Sequence, residues 1–144
     1  MSSAVSTINL NSVAYNTATV EGVTGDDATN ANSDTLTVNN ANLATRVVLE
    51  DITDVASTVN FASATGAADE ATVEVAGSTD TAATGQNNDL TVANVETFNL
   101  VLSTAANNLN VVTAAAAKTV NVNVEKGANT TLQGAAALAA ATAV

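Results

Sequence analysis

A four-residue phrase, polar–apolar–polar–apolar, returns again and again along the chain, and it dictates the kind of backbone the chain can adopt. Thr97-Phe98-Asn99-Leu100 is echoed by Asn108-Leu109-Asn110-Val111 and by Thr119-Val120-Asn121-Val122, two steps of eleven residues. Upstream, Thr7-Ile8-Asn9-Leu10, Thr35-Leu36-Thr37-Val38, Thr58-Val59-Asn60-Phe61, Thr72-Val73-Glu74-Val75 and Asp89-Leu90-Thr91-Val92 follow the same template. Successive side chains of an extended strand point to opposite faces, so each copy places two apolar residues on one side and polar residues on the other. The phrase therefore predicts half-buried strands, and its Val and Thr suit a pleated surface. Further strands are expected over 46–49 and 18–20. Near the end, Val120 and Val122 should face inward and Asn121 outward.

Turn-rich stretches separate the copies: 22–33, 64–68 and 77–88, where Gly, Asn and Asp tolerate the left-handed backbone of tight turns. The spacing is regular only over about 89–132. Two eleven-residue steps make 22, a suitable length for one coil of a β-solenoid with two strands per turn. The expected fold is all-β, a parallel β-helix or β-solenoid-like stack of short strands forming a single domain over 1–144. The alternative is an antiparallel β-sandwich, which also consists of many short strands. Aromatic residues decide between them: Phe61, Phe98 and Tyr15 are the whole set, whereas sandwich cores usually carry more. Stacked coils repeat small residues at one position and let Asn amides form ladders. Ala114–Ala117 reads as a compact turn because a strand follows at once. The Ala-rich end, 135–141, is left open between helix and strand.

Charge excludes several function classes. Fourteen acids against three bases give a formal net charge of −11, which repels nucleic acid and anionic membrane surfaces. No apolar run is long enough to insert across a bilayer. The chain has no Cys and no His, so disulfides, Cys zinc sites and the commonest general base are excluded. Arg46, Lys118 and Lys126 are too scattered to activate an anion, and no set of clustered carboxylates faces a groove. The chain reads as no enzyme.

Hard cations are a better match, since they take several carboxylate, carbonyl and amide oxygens. Residues 25–34 offer Asp26, Asp27 and Asp34 with Asn30 and Asn32; Asp51 and Asp54 form a second group with Glu50; Asp69 adjoins Glu70. These are the candidate calcium ligands, and the competing reading is of solvated turn acids. Neither the EF-hand pattern nor the glycine-rich nonapeptide of calcium β-rolls is present. The Asn/Thr face has two readings: ladder hydrogen bonds, or a flat Thr array for ice or glycan. The Thr-x-Thr spacing at Thr35-Leu36-Thr37 is not repeated on successive copies, which favours the structural reading. Asn129-Thr130-Thr131 matches an N-glycosylation triplet, an expected coincidence in so Asn/Thr-rich a chain.

The stretch from Asp89 to Leu132 resembles the repetitive strand regions of bacterial surface-layer proteins and of large type I-secreted, calcium-dependent adhesins. Leu90-Thr91-Val92, Val95-Glu96-Thr97-Phe98-Asn99-Leu100 and Thr119-Val120-Asn121-Val122 carry the likeness, and 68–75 is similar to the same families' Asp-led strands. The resemblance implies a secreted, extracellular, non-enzymatic cell-surface protein that self-associates into a lattice or oligomer, with calcium stabilising folding or subunit contacts. A cell-surface glycan would be reached through another domain. The alternative it implies is the stalk or binding module of an adhesin. The basic, apolar start of a signal peptide is absent from Met1-Ser2-Ser3-Ala4, and the ends read as those of a fragment of a larger surface protein.

Overall fold

A computed structural model of the chain describes residues 6–10, 17–21, 34–62, 64–79, 88–104, 106–125, 129–132 and 142–143. They contain thirteen strands: β1 (Ser6–Asn9), β2 (Thr17–Glu21), β3 (Asp34–Ala41), β4 (Arg46–Thr53), β5 (Val55–Phe61), β6 (Glu70–Thr79), β7 (Leu90–Ala93), β8 (Thr97–Leu102), β9 (Ala106–Leu109), β10 (Val112–Thr113), β11 (Thr119–Val124), β12 (Asn129–Leu132) and β13 (Thr142–Ala143). No helix occurs among the described residues, whose regular structure is all-β. All eight copies of the repeated phrase fall on strands in at least two of their four residues.

The strands form two sheets. The smaller has the order β1-β3-β5-β7-β10. The larger runs β2-β4-β6 and then branches, because the long β6 pairs with β8 along its first part and with β9 at Ser78. From there β8 continues to β11 and β13, and β9 continues to β12. Up to β8 the chain visits the two sheets alternately, so each return to a sheet runs in the same direction. Every described pairing is accordingly parallel, and the antiparallel sandwich is ruled out as an arrangement. Hairpins would have been needed for it, whereas here each partner lies a full pass away.

The passes differ in length. In the smaller sheet the partners are Ser6 and Leu36, Asp34 and Val55, Ser57 and Leu90, and Leu90 and Val112, separated by 30, 21, 33 and 22 residues. Thr97 lies opposite Thr119, so the two eleven-residue steps do sum to one pass of 22. The middle copy does not stack between these two: Asn108 and Leu109 lie in β9, beyond the end of β8 along the same sheet, and pair there with β12. A break separates the two segments. Asp51 in β4 and Gly77 in β6 stand at equivalent positions and have positive φ, 50° and 107°. Past them the buried phase moves by one residue, from Ala71, Val73 and Val75 to Ser78 in β6, and from Val47 and Leu49 to Ile52 in β4. A residue added to Gly77 as a Cβ would sit 2.7 Å from Asp51 Oδ1, which is why the carboxylate can lie there.

Inside, the register builds straight aliphatic columns. Val47, Val73 and Leu100 stack in the larger sheet, as do Val20, Leu49, Val75 and Leu102; Val38, Val59 and Val92 stack in the smaller. All are buried and belong to one core cluster that both sheets share. Fully burying one such side chain stabilises by about 1.5–3 kcal/mol. Val122 corrects the inward reading of the last phrase. It prolongs the Leu100 column but is 39% exposed, while Val120 is 4% exposed. Among the described residues the difference follows coverage: β13 pairs with Thr119 and Val120 and does not reach Val122. The alanines at 114–117 form the expected turn, with Ala117 N–H donating to Ala114 C=O at 3.1 Å and both residues buried.

Candidate functional site: a threonine–asparagine face

Alternation that buries Leu36, Val38, Val59, Leu90 and Val92 turns their neighbours outward on the smaller sheet. The register then does something the irregular spacing conceals. Thr7 lies opposite Thr37, Thr37 opposite Thr58, Thr58 opposite Thr91, and Thr91 opposite Thr113. One threonine per strand thus forms an unbroken column across all five strands. Neighbouring strands are about 4.8 Å apart, so the column repeats at that interval over roughly 19 Å. Thr7 is exposed and the other four are half-buried by their neighbours in the column.

Beside it, two residues along β1, β3 and β5, runs a shorter asparagine column of Asn9, Asn39 and Asn60, which ends at Ala93 of β7. Asn9 lies opposite Asn39, and Asn60 Nδ2 donates to Asn39 Oδ1 at 2.9 Å. Asn40 Nδ2 donates to Asn9 Oδ1 at 3.0 Å. Asn40 is the extra residue of a bulge, with φ 55°, where the β3–β5 register shifts between Val38 and Ala41. The shift falls beyond the threonines and leaves their column straight. On the other flank stand Thr35, Ala56 and Asp89. Asp89 Oδ1 accepts from Asn110 Nδ2 and from Val111 N–H, each at 3.2 Å.

The larger sheet's outer face is charged. Arg46 Nε donates to Glu74 Oε2 at 2.6 Å, and its Nη2 lies 3.7 Å from Glu125 Oε1. Glu21 lies opposite Glu50. An amide ladder is present here too: Asn121 Nδ2 donates to Asn99 Oδ1 at 2.7 Å, and Asn99 Nδ2 to Glu70 Oε1 at 2.8 Å.

Two buried asparagines tie the passes together, Asn88 at the end of a turn-rich stretch and Asn107 in β9. Asn88 Oδ1 accepts Val55 N–H at 3.0 Å while its Nδ2 donates to Asn108 C=O at 3.2 Å. Asn107 Oδ1 accepts Gly77 N–H at 3.1 Å, and its Nδ2 donates to Thr104 C=O at 2.8 Å. Each side chain satisfies backbone groups that would otherwise be buried unpaired.

Three of the six candidate calcium ligands, Asp51, Asp54 and Asp69, have described side chains, and these are not gathered into one metal-holding group. Asp26 and Asp27 lie outside the described residues; Asp34 opens β3 opposite Val55, and its side chain lies outside them too. Asp51 is exposed at the Gly77 break. Asp54, φ 54°, joins β4 to β5 and donates its N–H to Thr79 C=O at 3.2 Å. Asp69 holds a turn: its Oδ2 accepts Gly66 N–H at 2.7 Å, and its own N–H donates to Glu96 Oε2 at 2.9 Å. Among the described residues no three acids gather into a group able to hold a metal ion.

Sequence reasoning placed Thr35, Thr37 and the asparagine ladders but missed the threonine column. The signal that could have found it is the position, not the interval: Leu36-Thr37-Val38, Ser57-Thr58-Val59, Leu90-Thr91-Val92 and Val112-Thr113-Ala114 each carry Thr between inward residues. No protein-family model, no curated protein and no solved structure matches this chain.

Proposed function

We propose that the chain is a rigid wall segment of a surface-layer-type protein, wound as a β-solenoid, acting outside the cell through mechanical strength and self-association and performing no catalysis. The observation that carries this reading is the straightness of the columns. Aliphatic residues repeat in register inside both sheets, and asparagine amides bridge successive strands outside. In such a stack each pass templates the next, and rigidity grows with the number of passes rather than with the depth of a core. A pass adds a full row of backbone hydrogen bonds, so pulling along the stack axis loads many bonds at once.

Calcium enters as the partner that lets so acidic a chain associate. A net charge of −11 resists close packing of copies, and Glu21, Glu50 and Asp51 supply carboxylates on the surface of the larger sheet and its break. Calcium bridging between such groups on neighbouring copies supports a lattice. The test is a calcium titration followed by electron microscopy and thermal melting. Two-dimensional sheets or ordered oligomers should form on calcium addition and dissolve with chelator. A chain that stays dispersed with and without calcium, and melts at one temperature in both, defeats the lattice and its metal together. Dispersed chains that bind a surface ligand would favour an adhesin module instead.

A further inference from the structure

The smaller sheet's outer face combines three properties that the lattice reading leaves unused. It is periodic, with one threonine every strand and, about 7 Å to one side on β1, β3 and β5, an asparagine flank of Asn9, Asn39 and Asn60 that gives way to Ala93 on β7. It is chemically mixed, since each threonine offers a hydroxyl and a methyl together. It is almost free of charge on a chain of net charge −11: Asp89 is its one described acid, and that carboxylate is bound by Asn110 and Val111.

The chemistry of the occupant follows from size and polarity. A second copy laid face to face would bury only the strip itself, roughly 19 Å by 14 Å. That is on the order of 300 Å² per partner, against about 800 Å² for a stable protein interface. A saccharide would be stacked on an aromatic ring or gripped by a free carboxylate or guanidinium. The described aromatics, Phe61 and Phe98, are buried in the core, and Arg46 is on the other sheet. An ice surface asks for something different. It is neutral and repetitive, and a charged side chain opposes it by holding a hydration shell that does not fit the lattice. Hydroxyls and amides can join that lattice while methyls hold water in a cage over the gaps. β-branched threonines are stiff at χ1, so a column of them is held in place with little further loss of side-chain freedom. The strand spacing of about 4.8 Å is close to an oxygen repeat on the prism face of ice.

We propose that the threonine column of the smaller sheet, with its asparagine flank, is an ice-binding face. It adsorbs to ice as a template of ordered water and restrains growth of the crystal between adsorbed molecules. The role is separate from lattice formation, and it operates on dispersed chains.

The experiment measures thermal hysteresis and ice recrystallisation on the whole chain, without calcium so that assembly does not contribute. The wild type should shape ice crystals and show hysteresis that rises with concentration. Thr58→Tyr, at the centre of the column, should lower hysteresis at least tenfold at equal concentration with an unchanged melting midpoint. Tyr is as favourable as Thr in a strand, so the fold should tolerate it; Thr91→Tyr repeats the test one strand along. Thr72→Tyr, on the larger sheet, should retain wild-type hysteresis. Absence of hysteresis in the folded wild type overturns the proposal. So does equal activity of Thr58→Tyr, or a Thr58-dependent binding to glycans with no effect on ice.

Discussion

The two sheets are alike inside and unlike outside. Their inner faces are columns of Val and Leu in a shared core. Outside, the larger sheet sets Arg46 against Glu74 and Glu125 and stacks Glu21 on Glu50, while the smaller repeats threonine on five strands. The inner likeness is demanded by folding, because every inward position must fill space against the same core. The outer difference is not demanded by it. A parallel stack tolerates many polar residues on its solvent side, and the column of one residue type there is the feature on which the proposed ice-binding role rests. Charge is what distinguishes the faces: the larger sheet carries Arg46, Glu74, Glu21 and Glu50, and the smaller has Asp89 as its one described acid.

The largest effect should come from breaking the inner likeness. Val59→Asp in the smaller sheet and Val73→Asp in the larger each place a carboxylate at a position with 0% exposure and no partner. Each should cost more than about 3 kcal/mol, and both should unfold the domain cooperatively in urea. Loss of one sheet with survival of the other would show that the two walls do not share a core. A smaller effect, of opposite sign, is expected at Ser57. It is 2% exposed, lies between Leu36 and Leu90 in the register, and its Oγ has no hydrogen-bond partner. A buried unpaired hydroxyl costs about 1–3 kcal/mol. Ser57→Ala should therefore raise stability by about 1 kcal/mol, read as a higher urea midpoint at unchanged slope. A fall in the midpoint would mean that the hydroxyl is satisfied.

Strand existence was legible because the period-two pattern is local: Thr72-Val73-Glu74-Val75 declares its inward and outward faces without reference to any partner. The strand direction was legible only through composition, in the scarcity of aromatics. What the sequence hid is what depends on pass length. Thr58 and Thr91 are neighbours in space at a separation of 33, while Thr37 and Thr58 are separated by 21, so no fixed interval links them. The variable turns absorb the difference. Asn88 falls in a stretch read as turn because Asn is at home in turns, and Asn107 carries no local signal, yet the burial of both is set by which backbone groups the passes leave unpaired. Of the six acids, Asp69 shows the same ambiguity. Its carboxylate holds the Gly66 amide, a task that its neighbours in sequence do not announce.

The smallest effect separates the outer faces by their response to salt. Arg46 is bound to Glu74 at 2.6 Å, with side chains 37% and 14% exposed, and approaches Glu125 at 3.7 Å. Such a half-exposed network is worth up to about 1 kcal/mol, and less once salt screens it. Asn60, on the smaller sheet, donates to Asn39 through a neutral amide pair whose strength salt hardly changes. Arg46→Ala and Asn60→Ala should therefore cost similar amounts, each below about 1 kcal/mol, at low ionic strength. Raising the salt to 1 M shortens the screening length to about 3 Å, so the Arg46→Ala cost should shrink while that of Asn60→Ala persists. Urea midpoints measured for both variants and the wild type at the two salt concentrations decide it. A parallel response of the two variants would mean that charge does not distinguish the faces energetically, and that Arg46 contributes through the packing of its aliphatic stem over the larger sheet.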